Sequence, residues 1–314
     1  MSMARAFGIV LGVAVDEVLA DPRRGHPVAL FGTAAAKTER LTYRDSVLPG
    51  AAHTLVLLGG AAGIGLLTER LGKRHPLLRV LGTAAATWAT VGGSTLAAEG
   101  TAMGRSLDAG EIEAARARLP HLCGRDPELL DGTELARATV ESVAENTSDA
   151  VVAPLFWGAV AGIPGLLAYR AVNTLDAMIG HRSERYRRFG MVAARADDVA
   201  NLIPARLAAA LTAFCAPVVG GSSASALRAW RLDAGAHPSP NAGQVEAAFA
   251  GALQIRLGGR TVYRHGVEDR PVLGDGRNPD AGHVTRAVEL SRVTGWAAAA
   301  LCGLLGLAVG RRAH

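Results

Sequence analysis

The sequence is poor in charged and in aromatic side chains. Asp, Glu, Lys and Arg make up 19% of the 314 residues and aromatic residues 4%, whereas a typical soluble domain has about 25% charged residues. Cysteine is scarce too. Cys123, Cys215 and Cys302 are odd in number and far apart, which excludes a disulfide framework and a paired-cysteine metal motif. The net charge of +5 comes without zinc-finger spacing or aromatics interleaved among the cations, so no nucleic acid is expected as a partner.

Several familiar catalytic motifs are also missing. The sequence has no G-x-x-x-x-G-K-[ST] phosphate loop, no G-x-S-x-G nucleophile elbow and no H-E-x-x-H zinc motif. These absences exclude the common P-loop, serine-hydrolase and zinc-peptidase classes. If the protein uses ATP, it binds the nucleotide in another way.

Ala, Gly and Leu supply most of the apolar character, and the mean hydropathy is +0.21. Four segments have about the length and composition of membrane spans, and residues 6–20 read as a retained first helix. The four segments are 51–67, 77–98, 151–168 and 293–310, with 203–219 as a weaker fifth. The sequence therefore predicts an all-α, polytopic membrane protein with about four to six membrane-embedded helices and helical extramembrane segments. Core helices of a soluble protein are the alternative.

Residues 1–314 read as a single membrane domain with polar helical insertions at about 99–150 and 228–286. Asp131 and Glu134 predict a capped helix start. Ser239 and Pro240 predict another, in a helix that Gly258 and Gly259 end before turn-rich residues 263–279. Pro154 and the Gly-Ile-Pro-Gly run at 162–165 predict a broken or re-entrant helix.

An acidic stripe is the most informative polar feature. Glu141, Glu145 and Asp149 follow one another at i, i+4 and i+8, with Asn146 beside them. Like charges at this spacing repel, and a cation would relieve the repulsion. Carboxylate and amide oxygens suit Mg²⁺, so Glu145, Asn146 and Asp149 are the predicted metal ligands. A solvated helix face is the alternative, although the stripe runs into the apolar sequence at 151–157.

A second polar cluster lies between residues 169 and 206. Its acid and amide members are Asn173, Asp176, Asp197, Asp198 and Asn201. Arg182 and Arg185 lie in a basic run between them, and guanidinium groups match phosphate oxygens. The alternative for the arginines is an anchor to lipid headgroups.

A third cluster begins at His237. Two prolines stiffen a loop that places Ser239 and Asn241 at a predicted helix N-terminus, where backbone N–H groups favour the binding of an anion. An ordinary capped helix is the alternative.

Six stretches of the chain resemble the CobD/CbiB family of cobalamin biosynthesis, in the family's order. They are DEVLADPRRGHPV at 16–28, GRD at 124–126, ESVAENTSDAVVAPLFW at 141–157, AYRAVNTLDAMIGHRSERYRRFG at 168–190, ARADDVANLIPARL at 194–207 and HPSPNAGQVEAAFAGALQIRLGG at 237–259. The resemblance implies an integral membrane enzyme that joins adenosylcobyric acid to aminopropanol or aminopropanol phosphate through an amide bond. It implies ATP and Mg²⁺ as the means of activating the carboxylate, with the corrinoid as substrate rather than cofactor.

The chemical properties of the side chains at these matching positions indicate an expected role for each residue. The catalytic group is Glu141, Glu145, Asp197, Asp198 and His237, and the substrate or phosphate-binding group is Asn173, Asp176, Arg182, Arg185, Asn201, Ser239 and Asn241. His237 or an Asp is the expected base for the amine, and Asp197, Asp198 and Asn201 are alternatives for a second ion or the ammonium group.

The expected location is the inner cell membrane, with the active site accessible from the cytoplasm. The expected partners are the lipid bilayer, a nucleotide and other late cobalamin-pathway membrane enzymes. A non-catalytic AmpE-like membrane sensor and a membrane transporter are the competing functions, the latter because the helices are broken and carry acids.

Overall fold

The computed structural model describes residues 2–22, 25–181, 183–263 and 266–312. Helices dominate these residues, which confirms the all-α prediction. In chain order the α-helices are α1 (Ser2–Leu19), α2 (Pro27–Thr42), α3 (Val47–Leu71), α4 (Pro76–Thr90), α5 (Gly93–Asp108), α6 (Ile112–Arg118), α7 (Gly132–Asn146), α8 (Ala153–Leu175), α9 (Met191–Cys215), α10 (Ser223–Asp233), α11 (Ala242–Leu253) and α12 (Ala281–Arg312). Two π-helices, Thr147–Val152 and Asp176–Gly180, follow α7 and α8.

Four helical stretches are long and apolar enough to cross a membrane. They are Val47–Leu71, Gly132–Gly180, Met191–Val219 and Ala281–Ala308. The polytopic prediction is thereby confirmed, but the predicted span at 77–98 is wrong. Helix α4 ends at Thr90, Val91 is extended, and a new helix begins at Gly93. A β-branched residue followed by two glycines has low helix propensity, which explains the interruption.

The chain divides into two compact units, each assembled from separate stretches of sequence. Unit 1 comprises Met1–Gly92, Ala153–Asn201 and Ala298–His314, and unit 2 comprises Gly93–Val152 and Leu202–Ala297.

In unit 1, α1 packs closely against α4. Gly8 and Gly12 face Thr83 and Thr87 at distances that leave no room for a Cβ atom. Small residues four positions apart allow this approach, as they do between membrane helices. Small residues therefore bring this pair of helices together.

Helix α8 is broken at Gly162, whose φ of 70° lies in the left-handed region. Two side chains bind the backbone groups exposed by the break. Arg5 Nη1 donates to the carbonyl of Ala159 at 3.2 Å, and Glu69 Oε1 accepts from the amide of Ile163 at 3.1 Å. Arg5 and Glu69 also form an ion pair at 3.6 Å. Backbone groups left without partners at a helix break are costly in an apolar setting, so this pair stabilises the break that the sequence predicts.

Gly162→Ala is expected to lower the melting temperature of the detergent-solubilised protein by several degrees. A Cβ at this position would collide with Glu69 and Arg5, and a left-handed backbone costs a non-glycine residue about 1–3 kcal/mol. Gly59→Ala in α3 is the matched control, because its Cβ would meet nothing within 4 Å. That variant should melt at or slightly above the wild-type temperature. Equal melting of both variants would contradict the role of Gly162.

In unit 2, helix α11 packs against α7 and α10, and a β-hairpin packs against α7 and α11. The hairpin pairs β1 (Leu257–Tyr263) with β2 (Gly266–Leu273) in antiparallel fashion. The predicted Asp131–Glu134 capping box is confirmed at the start of α7. The predicted end of the later helix is wrong: α11 ends at Leu253, with Gln254 left-handed, and Gly258 and Gly259 belong to β1. The interpretation of 263–279 as only turn-rich missed the second strand.

Candidate functional site

Glu141 is the fixed centre of a charged cluster in unit 2. Its side chain is buried, and one carboxylate oxygen accepts a hydrogen bond from Nη2 of the buried Arg125. The other oxygen accepts from the backbone amide of Gly258 at 2.6 Å. Arg137 of α7 anchors the same strand by donating to the carbonyls of Gly258 and Arg260, at 2.7 and 2.6 Å. Glu141 therefore joins α7, the 122–126 segment and the hairpin.

Glu145 lies one helical turn further along α7 and is exposed. Asn146 beside it donates its amide hydrogens to Ser142, at 2.9 Å to the carbonyl and 3.3 Å to the hydroxyl. Asp149 lies in the first turn of the π-helix that begins at Thr147, and its place on the i, i+4, i+8 stripe stays a prediction.

The predicted magnesium ligands are Glu145, Asn146 and Asp149, two carboxylates and one amide. No group of three His, Cys, Asp or Glu side chains in these residues is arranged to hold a metal ion. Magnesium at this position stays a prediction.

The loop before α11 is tightly folded. The amide of Ser239 donates to His237 Nδ1 at 3.1 Å, and the Ser239 hydroxyl accepts from the amide of Ala242 at 3.1 Å. Asn241 is buried and is the N-cap residue of α11, so the helix begins two residues after Pro240 and the proline lies outside its first turn. Gly243 lets the loop approach the helix, since a Cβ there would collide with His237. Ser239 thus serves the local fold, and His237 is placed against α11.

Glu246 and Arg270 are two further members of the cluster: the sequence shows Glu246 soon after the His237 loop but assigns it no role, and it does not single out Arg270. Glu246 is buried on α11, and its Oε1 lies 3.8 Å from His237 Nε2. Burial, and then the charges of Glu141 and Glu145, raises the pKa of Glu246 well above its ordinary value, whereas Arg270 and Arg125 act in the opposite direction. Burial lowers the pKa of His237, so the imidazole stays neutral at neutral pH. A polar residue within the apolar sequence of α11 was the available signal for Glu246, but Arg270 lies on the strand that was missed.

In unit 1, Asp197 is the centre of a hydrogen-bonded network between α8 and α9. Asn173 donates to one of its oxygens at 3.3 Å and Asn201 to the other at 3.0 Å. The Tyr169 hydroxyl donates to the side-chain oxygen Oδ1 of Asn201 at 2.9 Å. The structure thus brings Asn173, Asp197 and Asn201 together as predicted. The side-chain amides of Asn173 and Asn201 orient the Asp197 carboxylate and provide it with hydrogen bonds from within the protein.

The remaining predicted residues of unit 1 have other surroundings. Asp198 is 3.8 Å from the exposed Arg195, and Asp176 begins the second π-helix and packs against Gly180. Arg182 lies outside the described residues.

The guanidinium of Arg185 has partners within the protein. It donates to Glu39 at 2.9 Å and stacks on the ring of Tyr43, 4.0 Å from the centroid. The Tyr43 hydroxyl in turn donates to the carbonyl of Arg185 at 3.0 Å. Arg185 therefore ties α2 to the segment that follows α8, and its phosphate-binding role stays a prediction.

Comparisons with known proteins agree across nearly the whole chain. The family profile described as CobD/Cbib protein matches residues 9–291. Three proteins called cobalamin biosynthesis protein CobD illustrate the similarity. The one from Mycobacterium tuberculosis H37Rv is 56% identical over 302 residues, covering 96% of each chain. That from Chromobacterium violaceum is 40% identical, covering 98% of this chain and 99% of the relative. That from Rhodobacter capsulatus is 40% identical, covering 92% of each. No solved structure matches the chain.

Proposed function

We propose that this member of the CobD/CbiB family forms the amide bond between adenosylcobyric acid and aminopropanol or aminopropanol phosphate. The premise is that the chain belongs to this family and has a role in cobalamin biosynthesis. The observation that supports this activity best is the charged cluster of unit 2. Three carboxylates, two guanidinium groups and a buried imidazole, on α7, α11, the hairpin and the intervening loops, are within electrostatic range of one another. Groups of this kind can bind an ammonium group and remove its proton, which amide formation from an amine requires.

The carboxylate of the corrinoid must be activated before an amine can attack it. In the proposed reaction one carboxylate oxygen attacks the terminal phosphorus of a nucleoside triphosphate, and the nucleoside diphosphate leaves. The amine nitrogen then forms a bond with the acyl carbon, and phosphate departs with the electrons of the broken C–O bond. The described residues offer no phosphate loop for the nucleotide, so ATP as the nucleotide rests on the family resemblance.

Mass spectrometry of purified protein in proteoliposomes tests this function. With adenosylcobyric acid, ATP, Mg²⁺ and aminopropanol phosphate, the amide product should accumulate with the protein and be absent without it. A transporter would move the solutes without forming the amide, and an AmpE-like sensor would do neither. Flux without product would overturn the proposal in favour of the transporter.

We also propose that the protein lies in the inner membrane with its site open to the cytoplasm, where the nucleotide is available. Four helices of sufficient length and apolarity support the membrane part of this proposal. The protein is expected to remain in the membrane pellet after alkaline carbonate extraction. Recovery as a soluble monomer without detergent would contradict it.

A further inference from the structure

His237 and Glu246 form a buried pair that is incomplete without a ligand. Their side chains are 4% and 3% exposed, and His237 Nε2 has no hydrogen-bond partner among the described residues. Glu246 Oε1 is a neighbouring acceptor, but its distance of 3.8 Å from His237 Nε2 is too long for a hydrogen bond. A buried polar atom without a partner is costly. The gap therefore indicates a position for a small polar group that touches both side chains.

The hydrogen bonds of the loop before α11 determine which tautomer the His237 imidazole adopts. Nδ1 is 3.1 Å from the amide nitrogen of Ser239, which can only donate, and 3.4 Å from the carbonyl oxygen of the same residue. The shorter contact makes Nδ1 the acceptor, so in the neutral ring Nε2 carries the hydrogen. His237 then presents a donor towards Glu246. It is poorly suited to the role of base predicted from the sequence, because the lone pair at Nδ1 is already used.

The charges around this pair leave a negative excess. Glu246 is within electrostatic range of Glu141 and Glu145 on α7, of Arg125 in the 122–126 segment and of Arg270 on β2. On α10, which also packs against α11, Asp233 accepts from the Gly274 amide at 2.8 Å. Arg125 is paired with Glu141, so the cluster has three carboxylates for two guanidinium groups. A cationic ligand would balance it.

We propose that this pair is the subsite for the amino alcohol. Glu246 receives the ammonium group together with Glu145 and accepts its proton, while His237 Nε2–H donates to the oxygen on the neighbouring carbon. This assignment rests on the proposed function. A vicinal amino alcohol carries an ammonium donor and an oxygen acceptor on adjacent carbons, so one molecule satisfies both buried side chains. The network around Asp197, the alternative predicted for the ammonium, has both carboxylate oxygens already bound to amides.

The proton transfer balances as follows. An N–H bond of the ammonium group breaks, and the proton passes to a Glu246 carboxylate oxygen. The freed lone pair forms the C–N bond with the activated acyl carbon, and phosphate leaves with the C–O electrons. The second proton is lost from nitrogen as the amide forms, with the departing phosphate as its acceptor. Glu246 returns its proton to solvent when the product leaves.

Glu246→Gln is the first test. At neutral pH amide formation should fall about 100- to 10,000-fold, the usual contribution of a positioned base. As the pH rises the variant should recover about tenfold per unit, because the free amine increases in proportion until its own pKa near 10. A merely structural role would give no such recovery. Glu113→Gln, at an 86% exposed carboxylate of unit 2, is the matched control and should keep wild-type rates.

The same variant has an expected effect on stability. Because the folded protein raises the pKa of Glu246, the stability gained by protonation is fully present below the ordinary glutamate pKa. It is lost as the pH rises through the raised value. Glu246→Gln should therefore melt about 2–4 °C above the wild type at neutral pH, and the difference should vanish near about pH 4. If Glu246→Gln melts below the wild type at neutral pH, the inference that Glu246 carries an uncompensated charge is wrong.

His237→Phe tests the orientation of the ligand. It should slow amide formation from the amino alcohol about 100-fold and leave the rate with propylamine, which lacks the oxygen, unchanged. Equal losses with both amines would overturn the assigned contact. If the wild type itself forms no amide, the proposed function fails. If the wild type forms amide and Glu246→Gln is unimpaired at neutral pH, only the subsite fails.

Discussion

Replacing Arg125 with methionine is expected to lower the free energy of unfolding by about 3–5 kcal/mol. The change leaves Glu141 as a buried carboxylate with the Gly258 amide but without its guanidinium partner. Loss of one member of a buried ion pair is more damaging than loss of both, since the remaining charge stays desolvated. Chemical unfolding in detergent, followed by helical circular dichroism, measures the effect.

Two controls isolate the buried charge. Adding Glu141→Gln to the Arg125 variant should restore most of the stability, because the amide oxygen still accepts from Gly258 and no charge is left unpaired. Arg228→Met removes the exposed ion pair with Asp275 and should change stability by no more than about 1 kcal/mol. If the double variant is no more stable than Arg125→Met alone, the damage comes from lost packing and the ion-pair argument is wrong.

Glu145→Gln is expected to reduce kcat/KM for the amine about 100-fold, while the protein folds normally. A hydrogen bond to a charged group contributes about 1.5–3 kcal/mol, and Glu145 is the exposed carboxylate beside Glu141 and Glu246. The melting temperature should hold or rise slightly, since the repulsion from Glu141 at i, i+4 is relieved. Turnover per folded molecule is the quantity to measure.

Titrations of the Glu145→Gln variant separate the ammonium role from the predicted magnesium role. If Glu145 binds the ammonium group, high amine concentrations should restore turnover and added Mg²⁺ should not. Rescue by Mg²⁺ would favour the metal site at Glu145, Asn146 and Asp149 instead. Normal turnover without either addition would remove Glu145 from the site and leave it as a solvated residue.

The sequence predicted most of the helical framework because periodicity and composition are local properties. The Asp131–Glu134 cap and the break at Gly162 were both visible from residue types alone. The end of the span at 77–98 was missed because its apolar composition continues through Val91, where only backbone propensity interrupts the helix. The hairpin was missed because its strands are stabilised by α7, through Arg137, and not by a strong local pattern.

The candidate site was predicted in part. Glu141 and His237 were selected as polar residues in informative motifs, and both lie in the cluster of unit 2. Their roles changed because a role depends on partners that are distant in sequence: Glu141 is paired with Arg125, and the Nδ1 atom of His237 is occupied by Ser239. Asp149 lies in a π-helix, which the spacing of residues does not reveal.

The most direct test of amide formation follows one oxygen atom. Adenosylcobyric acid labelled with ¹⁸O in its free carboxylate is supplied with ATP, Mg²⁺ and aminopropanol phosphate to the reconstituted protein, and mass spectrometry reads the products. We predict that each amide formed leaves one ¹⁸O in inorganic phosphate, because the carboxylate oxygen that attacks phosphorus departs with it. The account would be contradicted if the protein forms no more amide than heat-inactivated protein does, or if amide forms without labelled phosphate.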